Sequence, residues 1–164
     1  KHPACFMAGY YRMPERTVEA WRNLWFHTGD AGRFDKQRRL FYIDRIKDCI
    51  RRRGENISAF EVEQVINGHP EVAESCVIGV HDKDAGGEEE VKACIVATGN
   101  APEYTSILDY CVERMPRYAV PRYIEYVHTL DKTPTGKLQK QNLRDAGITD
   151  KTWDRHSIGY VVPR

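Results

Sequence analysis

The chain has 164 residues, 41% of them hydrophobic, and 25 basic against 24 acidic side chains. This is an ordinary globular composition, long enough for one core and a small appendage, and it excludes a disordered chain. The formal net charge of +1 excludes a general polyanion binder, which shows a basic excess or stripe, so no nucleic-acid partner is expected.

No stretch approaches the roughly 18 apolar residues of a membrane span, and nothing resembles a signal peptide. The five cysteines (Cys5, Cys49, Cys76, Cys94, Cys111) form no Cys-x-x-Cys pair. Several lie in apolar runs such as Ser75-Cys76-Val77-Ile78, and they read as small buried hydrophobes in a reducing, cytoplasmic compartment. The sequence opens on Lys1 without an initiator methionine, and its first residues do not read as a domain start, so a piece of a longer protein is expected.

In chain order, residues 14–23 predict a short helix opened by Pro14 in its first turn. Residues 26–34 and 40–43, rich in aromatic and β-branched side chains, predict two strands around the polar turn 35–39. These pieces are too small to bury a core alone and are expected to belong to a larger body. The run Cys49-Ile50-Arg51-Arg52-Arg53 ends at Gly54, and Ser58-Ala59-Phe60-Glu61 is a capping box opening a helix to about Asn67. Residues 72–80 and 91–97 predict a strand pair across a charged, glycine-containing loop. Ile107, Leu108, Cys111, Val112 and Met115 recur at three- and four-residue spacing, which predicts an amphipathic helix over 104–115 stopped by Pro116. A strand over 123–127 and a short helix over 138–144 complete an α+β reading without internal repeats. The tail 153–164 carries no motif.

Three short motifs stand out: Trp25-Phe26-His27-Thr28-Gly29-Asp30-Ala31-Gly32, Asp44-Arg45-Ile46-Lys47-Asp48 and Pro134-Thr135-Gly136-Lys137. Taken singly they have ordinary readings: a solvated turn aspartate, a charged linker and a lysine in a turn. The last is not a P-loop, because Asp131 stands where that motif needs glycine and Leu138 where it needs Ser or Thr. Their order and spacing, together with Gly54-Glu55-Asn56-Ile57 and Met115-Pro116-Arg117-Tyr118-Ala119-Val120-Pro121, resemble the C-terminal part of adenylate-forming enzymes, the acyl-CoA synthetase, adenylation-domain and luciferase superfamily. The run 49–58 looks most like crotonobetaine/carnitine-CoA ligases and related acyl-CoA synthetases.

That resemblance implies a small C-terminal domain over 47–164, a mixed sheet flanked by helices, preceded in 1–46 by the β-rich end of a missing larger domain. It implies that Asp30 and Arg45 hold the ribose of ATP, a carboxylate with two acceptor oxygens suiting a cis-diol. Lys47 is implied as the hinge of a domain rotation, and Lys137 as the catalytic lysine that stabilises charge during adenylation. Gly54 is implied to let backbone approach pantetheine, with Arg51, Arg52 or Arg53 on coenzyme A phosphates and the ordinary reading of those arginines a solvated strand end.

The implied reaction joins a carboxylic acid to the α-phosphate of Mg-ATP, releases pyrophosphate, and passes the acyl group to the coenzyme A thiol. Magnesium is expected on the missing N-terminal domain, as are the phosphate loop and acyl pocket, so the chain alone is expected to be inactive. Acylation of a carrier protein and a non-catalytic interaction module are the alternative readings, and self-association is left open. The histidines, including His27 and His69, have no metal-ligand spacing and read as packing or cap residues, the Met-Pro-Arg motif as structural, and Cys49 as a structural thiol.

Overall fold

The computed structural model describes residues 7–82, 86 and 88–163. Cys5 and part of the charged loop between the two central strands lie outside them. Helix α1 (Pro14–Ala20) begins on proline, whose missing N–H is one of the orphan donors of any first turn. It stops earlier than the periodicity predicts, because Asn23 and Leu24 take left-handed backbone angles inside a 3-10 turn, Arg22–Leu24. Strand β1 (Asp30–Phe34) likewise starts four residues late. The backbone before it is spent on a turn, with Thr28 Oγ1 accepting from Asp30 N at 3.1 Å and Gly29 at a φ of 75°. Antiparallel to β1 runs β2 (Leu40–Arg45), two residues longer than predicted.

A 3-10 turn over Ile46–Asp48 leads into a second hairpin, β3 (Cys49–Arg52) and β4 (Glu55–Ser58). Its two-residue loop is Arg53-Gly54, both with positive φ (50° and 83°), the backbone pairing that matches the twist of adjacent strands. Ser58 then caps α2 (Ala59–Asn67), its Oγ accepting from Glu61 N at 3.2 Å as the capping box requires.

The central sheet runs in the order β5 (Val72–His81), β6 (Glu89–Ala97), β7 (Tyr123–Tyr126) and β8 (Trp153–Asp154). The β6–β7 pair is parallel and the others antiparallel. Alternation along β5 sorts its side chains between two cores. Val77 joins Val62 and Ile66 of α2 and Ile107, Leu108 and Cys111 of α3 (Tyr104–Val112), whereas Cys76, Ile78 and Val80 pack on the other face with Leu130, Leu138 and Leu143. Each fully buried aliphatic side chain contributes about 1.5–3 kcal/mol.

Helix α3 ends three residues before the predicted limit, its last turn tightening as Arg114 N donates to Cys111 O at 3.0 Å ahead of Pro116. The final helix α4 (Lys140–Ala146) is displaced two residues downstream because Leu138 pairs with Lys132 in an isolated bridge. The tail is not idle: Trp153 stacks on Tyr104 with ring centroids 4.6 Å apart, and Val162 enters the core. This corrects the motif-free reading of 153–164.

By contrast, the β1–β2 hairpin shows its apolar side chains to solvent. Trp25 is 76% exposed, Phe34 69% and Leu40 66%.

Candidate functional site

Pairing β1 with β2 sets Asp30 directly opposite Arg45, and Arg45 Nη1 lies 2.8 Å from Asp30 Oδ1. The same nitrogen donates to Thr28 O at 2.8 Å. The side chains of Asp30 and Arg45 keep 35% and 47% of their exposure, so the ion pair contributes at most about 1 kcal/mol and its groups remain open to a ligand. Two residues fifteen apart in the chain thus face each other across the hairpin.

Immediately after Arg45, Lys47 occupies the 3-10 turn between the two hairpins. This turn is held at both ends. Asp44, 4% exposed, accepts from Ser58 Oγ (2.9 Å) and Phe60 N (3.0 Å), so the end of β2 is tied to the start of α2. On the far side Asp48 Oδ1 pairs with Arg144 Nη2 of α4 at 2.6 Å. Lys47 stands between two anchored carboxylates.

Lys137 is presented by a tight loop. Thr133 N donates to Lys137 O (2.8 Å), Gly136 N donates to Thr133 O (2.8 Å), and Gly136 has a φ of 80° that favours glycine. The lysine is exposed at the tip. No hydrogen bond or ion pair among the described residues joins Lys137 to Asp30 or Arg45.

The arginine run divides. Arg51 is exposed, and its backbone N–H donates to Glu89 Oε2 at 2.9 Å. Arg52 corrects the expectation for a solvated strand end: it is 5% exposed, with Nε 2.6 Å from buried Glu90 and Nη1 donating to Tyr118 O at 2.7 Å. Its guanidinium is committed to the interior. Arg53 is exposed beside Gly54, and a side chain added to Gly54 would meet nothing within 4 Å. The tip is therefore open.

Cys49 is half-buried, and burial followed by the charges of Asp44 and Asp48 pushes its thiol above the ordinary value, which disfavours the reactive thiolate. Burial raises Cys76 and Cys111 to about 12 and Cys94 to about 11. His69 serves as a cap, its Nδ1 accepting from Glu71 N at 3.3 Å and its Nε2 meeting Ser106 Oγ at 3.2 Å. Among the described residues no cluster of three His, Cys, Asp or Glu side chains offers a site for the magnesium that the resemblance implies. Nor, among them, is any helix long and apolar enough to cross a membrane.

Residues 61–137 match the AMP-binding enzyme C-terminal domain family. Residues 61–137 thus carry the AMP-binding C-terminal domain of adenylate-forming enzymes. The long-chain-fatty-acid–CoA ligase FadD13 of Mycobacterium tuberculosis is 40% identical over 136 residues, which is 83% of this chain and 27% of that one. The fatty acid–[acyl-carrier-protein] ligase ScoC of Streptomyces coeruleorubidus is 37% identical over 140 residues, 85% of this chain and 27% of its own length. Among solved structures, the O-succinylbenzoate coenzyme A synthetase of Bacillus subtilis, in complex with AMP, superposes with a TM-score of 0.74 at 32% identity, over 87% of this chain and 29% of that one. The chain thus spans about a quarter of the length of the curated relatives it matches.

The tail 153–163 escaped the sequence reading, because a two-residue strand shows no period and the ring that Trp153 stacks on, Tyr104, lies 49 residues upstream.

Proposed function

We propose that this chain is the C-terminal portion of an ATP-dependent ligase that activates a carboxylic acid as its adenylate and transfers the acyl group to coenzyme A. The observation that carries the proposal is the open Asp30–Arg45 pair, seated at the mouth of the Lys47 turn. Residues 1–46 then end the larger domain, and residues 47–164 form the mobile one. The exposed apolar row of Trp25, Phe34 and Leu40 supports that boundary, since a patch of this kind on a small body marks a surface that another unit covers.

In this reading Asp30 accepts hydrogen bonds from the ribose hydroxyls of ATP, and Arg45 steadies the same carboxylate and reaches the ribose from the neighbouring strand. Lys137, a compact cation on an ordered loop, stabilises the charge that builds while the carboxylate adds to the α-phosphate. Rotation of backbone torsions at Lys47 then withdraws Lys137 and presents the Arg53-Gly54 tip, where backbone passes close to the thiol arm with Arg51 and Arg53 nearby for phosphate. Arg52 is left out of this role. ATP when bound supplies the electrophilic phosphorus, and coenzyme A the thiol that displaces AMP.

The test is a chimera in which residues 7–163 replace the matching segment of the FadD13 ligase. Thioester formation with free coenzyme A is the expected outcome. Transfer only to a carrier protein would move the acceptor to the class of ScoC, and absence of pyrophosphate exchange in a folded chimera would overturn the ligase reading.

A further inference from the structure

Helix α4 is seven residues long, yet both of its ends are fixed to the rest of the domain by charge. Lys140 and Arg144 stand four apart and so share one helical face. At the first turn, Lys140 Nζ donates to Glu63 Oε1 of α2 at 2.7 Å and to Val77 O of β5 at 3.2 Å. At the last, Arg144 Nη2 donates to Asp48 Oδ1 at 2.6 Å. All four charged side chains are largely withdrawn from water, the most open, Arg144, keeping 21% of its exposure, so salt screens these pairs less than surface ones. Leu143, on the turn between them, packs against the core around Cys76 and Ile78.

The edge of the sheet accounts for the first anchor. Strand β5 lies at the end of the sheet order, and the N–H and C=O of Val77 are met from outside the sheet. Glu63 Oε1 accepts from Val77 N at 2.7 Å while Lys140 donates to Val77 O, so one ion pair satisfies both backbone groups. The other limb of the Lys137 loop is pinned to the same strand, where Lys132 Nζ lies 2.5 Å from Glu74 Oε2. Gln139 N donates to Asp131 O at 2.8 Å and closes the neck of the loop. Lys137 therefore projects from a loop held to β5 on both sides. Asp48 follows Lys47 directly, so the far end of α4 is fastened one residue beyond the hinge.

We propose that α4 is a strut that carries the rotation at Lys47 to Lys137, with Lys140 and Arg144 as positioning residues for the adenylation step. This rests on the ligase reading above and adds to it how the lysine is aimed. From Asp48 the chain takes 89 residues to reach Lys137, whereas through Arg144 the two are joined across one helix of about 10 Å. Asp48, Glu63, Lys140 and Arg144 all lie on the mobile side of the hinge, so their pairs stay closed while the domain turns. Each of the two cations on α4 acts through Lys137, and a displacement of about 1 Å at a reacting group costs as much as about a hundredfold in rate.

Single-turnover assays of the two half-reactions in the complete enzyme test the strut. Arg144→Gln and Lys140→Gln should each slow adenylate formation about tenfold or more, while the KM for ATP and the rate of thioester formation from supplied acyl-adenylate stay within about twofold. Arg144→Lys, which keeps the charge and a donor, should recover most of the loss, and Arg114→Gln in the exposed pair with Glu113 should leave both steps unchanged. In the full 164-residue chain, the amides of Gly136 and Lys137 should exchange at least about fivefold faster in Arg144→Gln, with the β5–β6 amides still protected. Equal slowing of both half-reactions, adenylation indifferent to both substitutions, or unchanged exchange in the loop overturns the strut. An unsubstituted enzyme that makes no adenylate sinks the ligase reading instead, so the two failures are told apart. Should Lys140→Gln unfold, Arg144→Gln decides alone.

Discussion

Replacing Arg52 by alanine strands Glu90 in the interior without its counter-ion, and removing one partner of a buried pair costs about 3–5 kcal/mol. Arg51→Ala, one residue away on the exposed side of the strand, should change stability by no more than about 0.5 kcal/mol. Denaturant unfolding of the two variants checks the contrast; equal losses would contradict the burial pattern of β3. Lys137→Ala in the complete enzyme should slow adenylate formation by about a hundredfold or more, since one preorganised donor to a developing charge is lost. It should spare thioester formation from supplied acyl-adenylate, and single-turnover assays of each step decide. The Thr28-Gly29-Asp30 turn and the Gly136 turn that carries Lys137 were legible because turn chemistry lies in residue type and local spacing. The fates of three consecutive arginines were not, because alternation across a strand fixes which one faces inward only once the partner strand and Glu90 are in place.

Between elements, the Lys47 turn joins two hairpins whose neighbours are fastened by Asp44 and by Asp48 with Arg144. On the proposed function, Lys47→Pro fixes one torsion and removes a backbone donor in the turn between these anchors, so it should slow the thioester step while leaving adenylation near its normal rate. If Lys47→Pro and Lys137→Ala slow the same half-reaction to the same extent, the two-conformation scheme fails. Helices α2 and α3 and the β5–β6 pair announced themselves through capping and apolar periodicity, and their edges moved by only a few residues. The β4 strand was harder to see, since four residues following a turn without Asn-Gly or Asp-Gly carry little signal until Arg53 is found in the left-handed region.

For the molecule as a whole, buried Glu125 and half-buried Asp154 contribute to the acid response. Burial pushes Glu125 up, but hydrogen bonds from Lys92, Thr152 and Thr149 outweigh it and hold its carboxyl below the ordinary 4.5. Burial also raises Asp154, and the bonds from Arg122 and His156 N–H outweigh it, leaving it below 3.8. A depressed folded value stabilises above the unfolded value and is lost as pH falls through the folded one. The stability that these two acids supply should therefore hold from neutrality to about pH 4.5 and decline below it. Glu63 opposes this trend, because burial raises it and Lys140 only partly offsets the rise. Glu125→Gln should lower the unfolding midpoint at pH 7 and flatten the acid decline; an unaltered acid slope would show that other groups govern it. The longer strands were foreseeable from their apolar runs and the mixed sheet from the resemblance, but the closing strand was not, since two residues cannot show a period.

That closing strand bears on how the protein is made. The first sheet strand starts at Val72, yet β8 and the core residue Val162 come 81 to 90 residues later. At about 5–20 residues per second of synthesis, the β5–β6 hairpin, complete at Ala97, waits roughly 3–13 s on the ribosome before β8 and Val162 follow and Trp153 covers the Tyr104 ring. Nascent chains halted just after the Lys137 loop should consequently be protease-sensitive and bound by chaperones, and resistance should appear only when translation passes the tail.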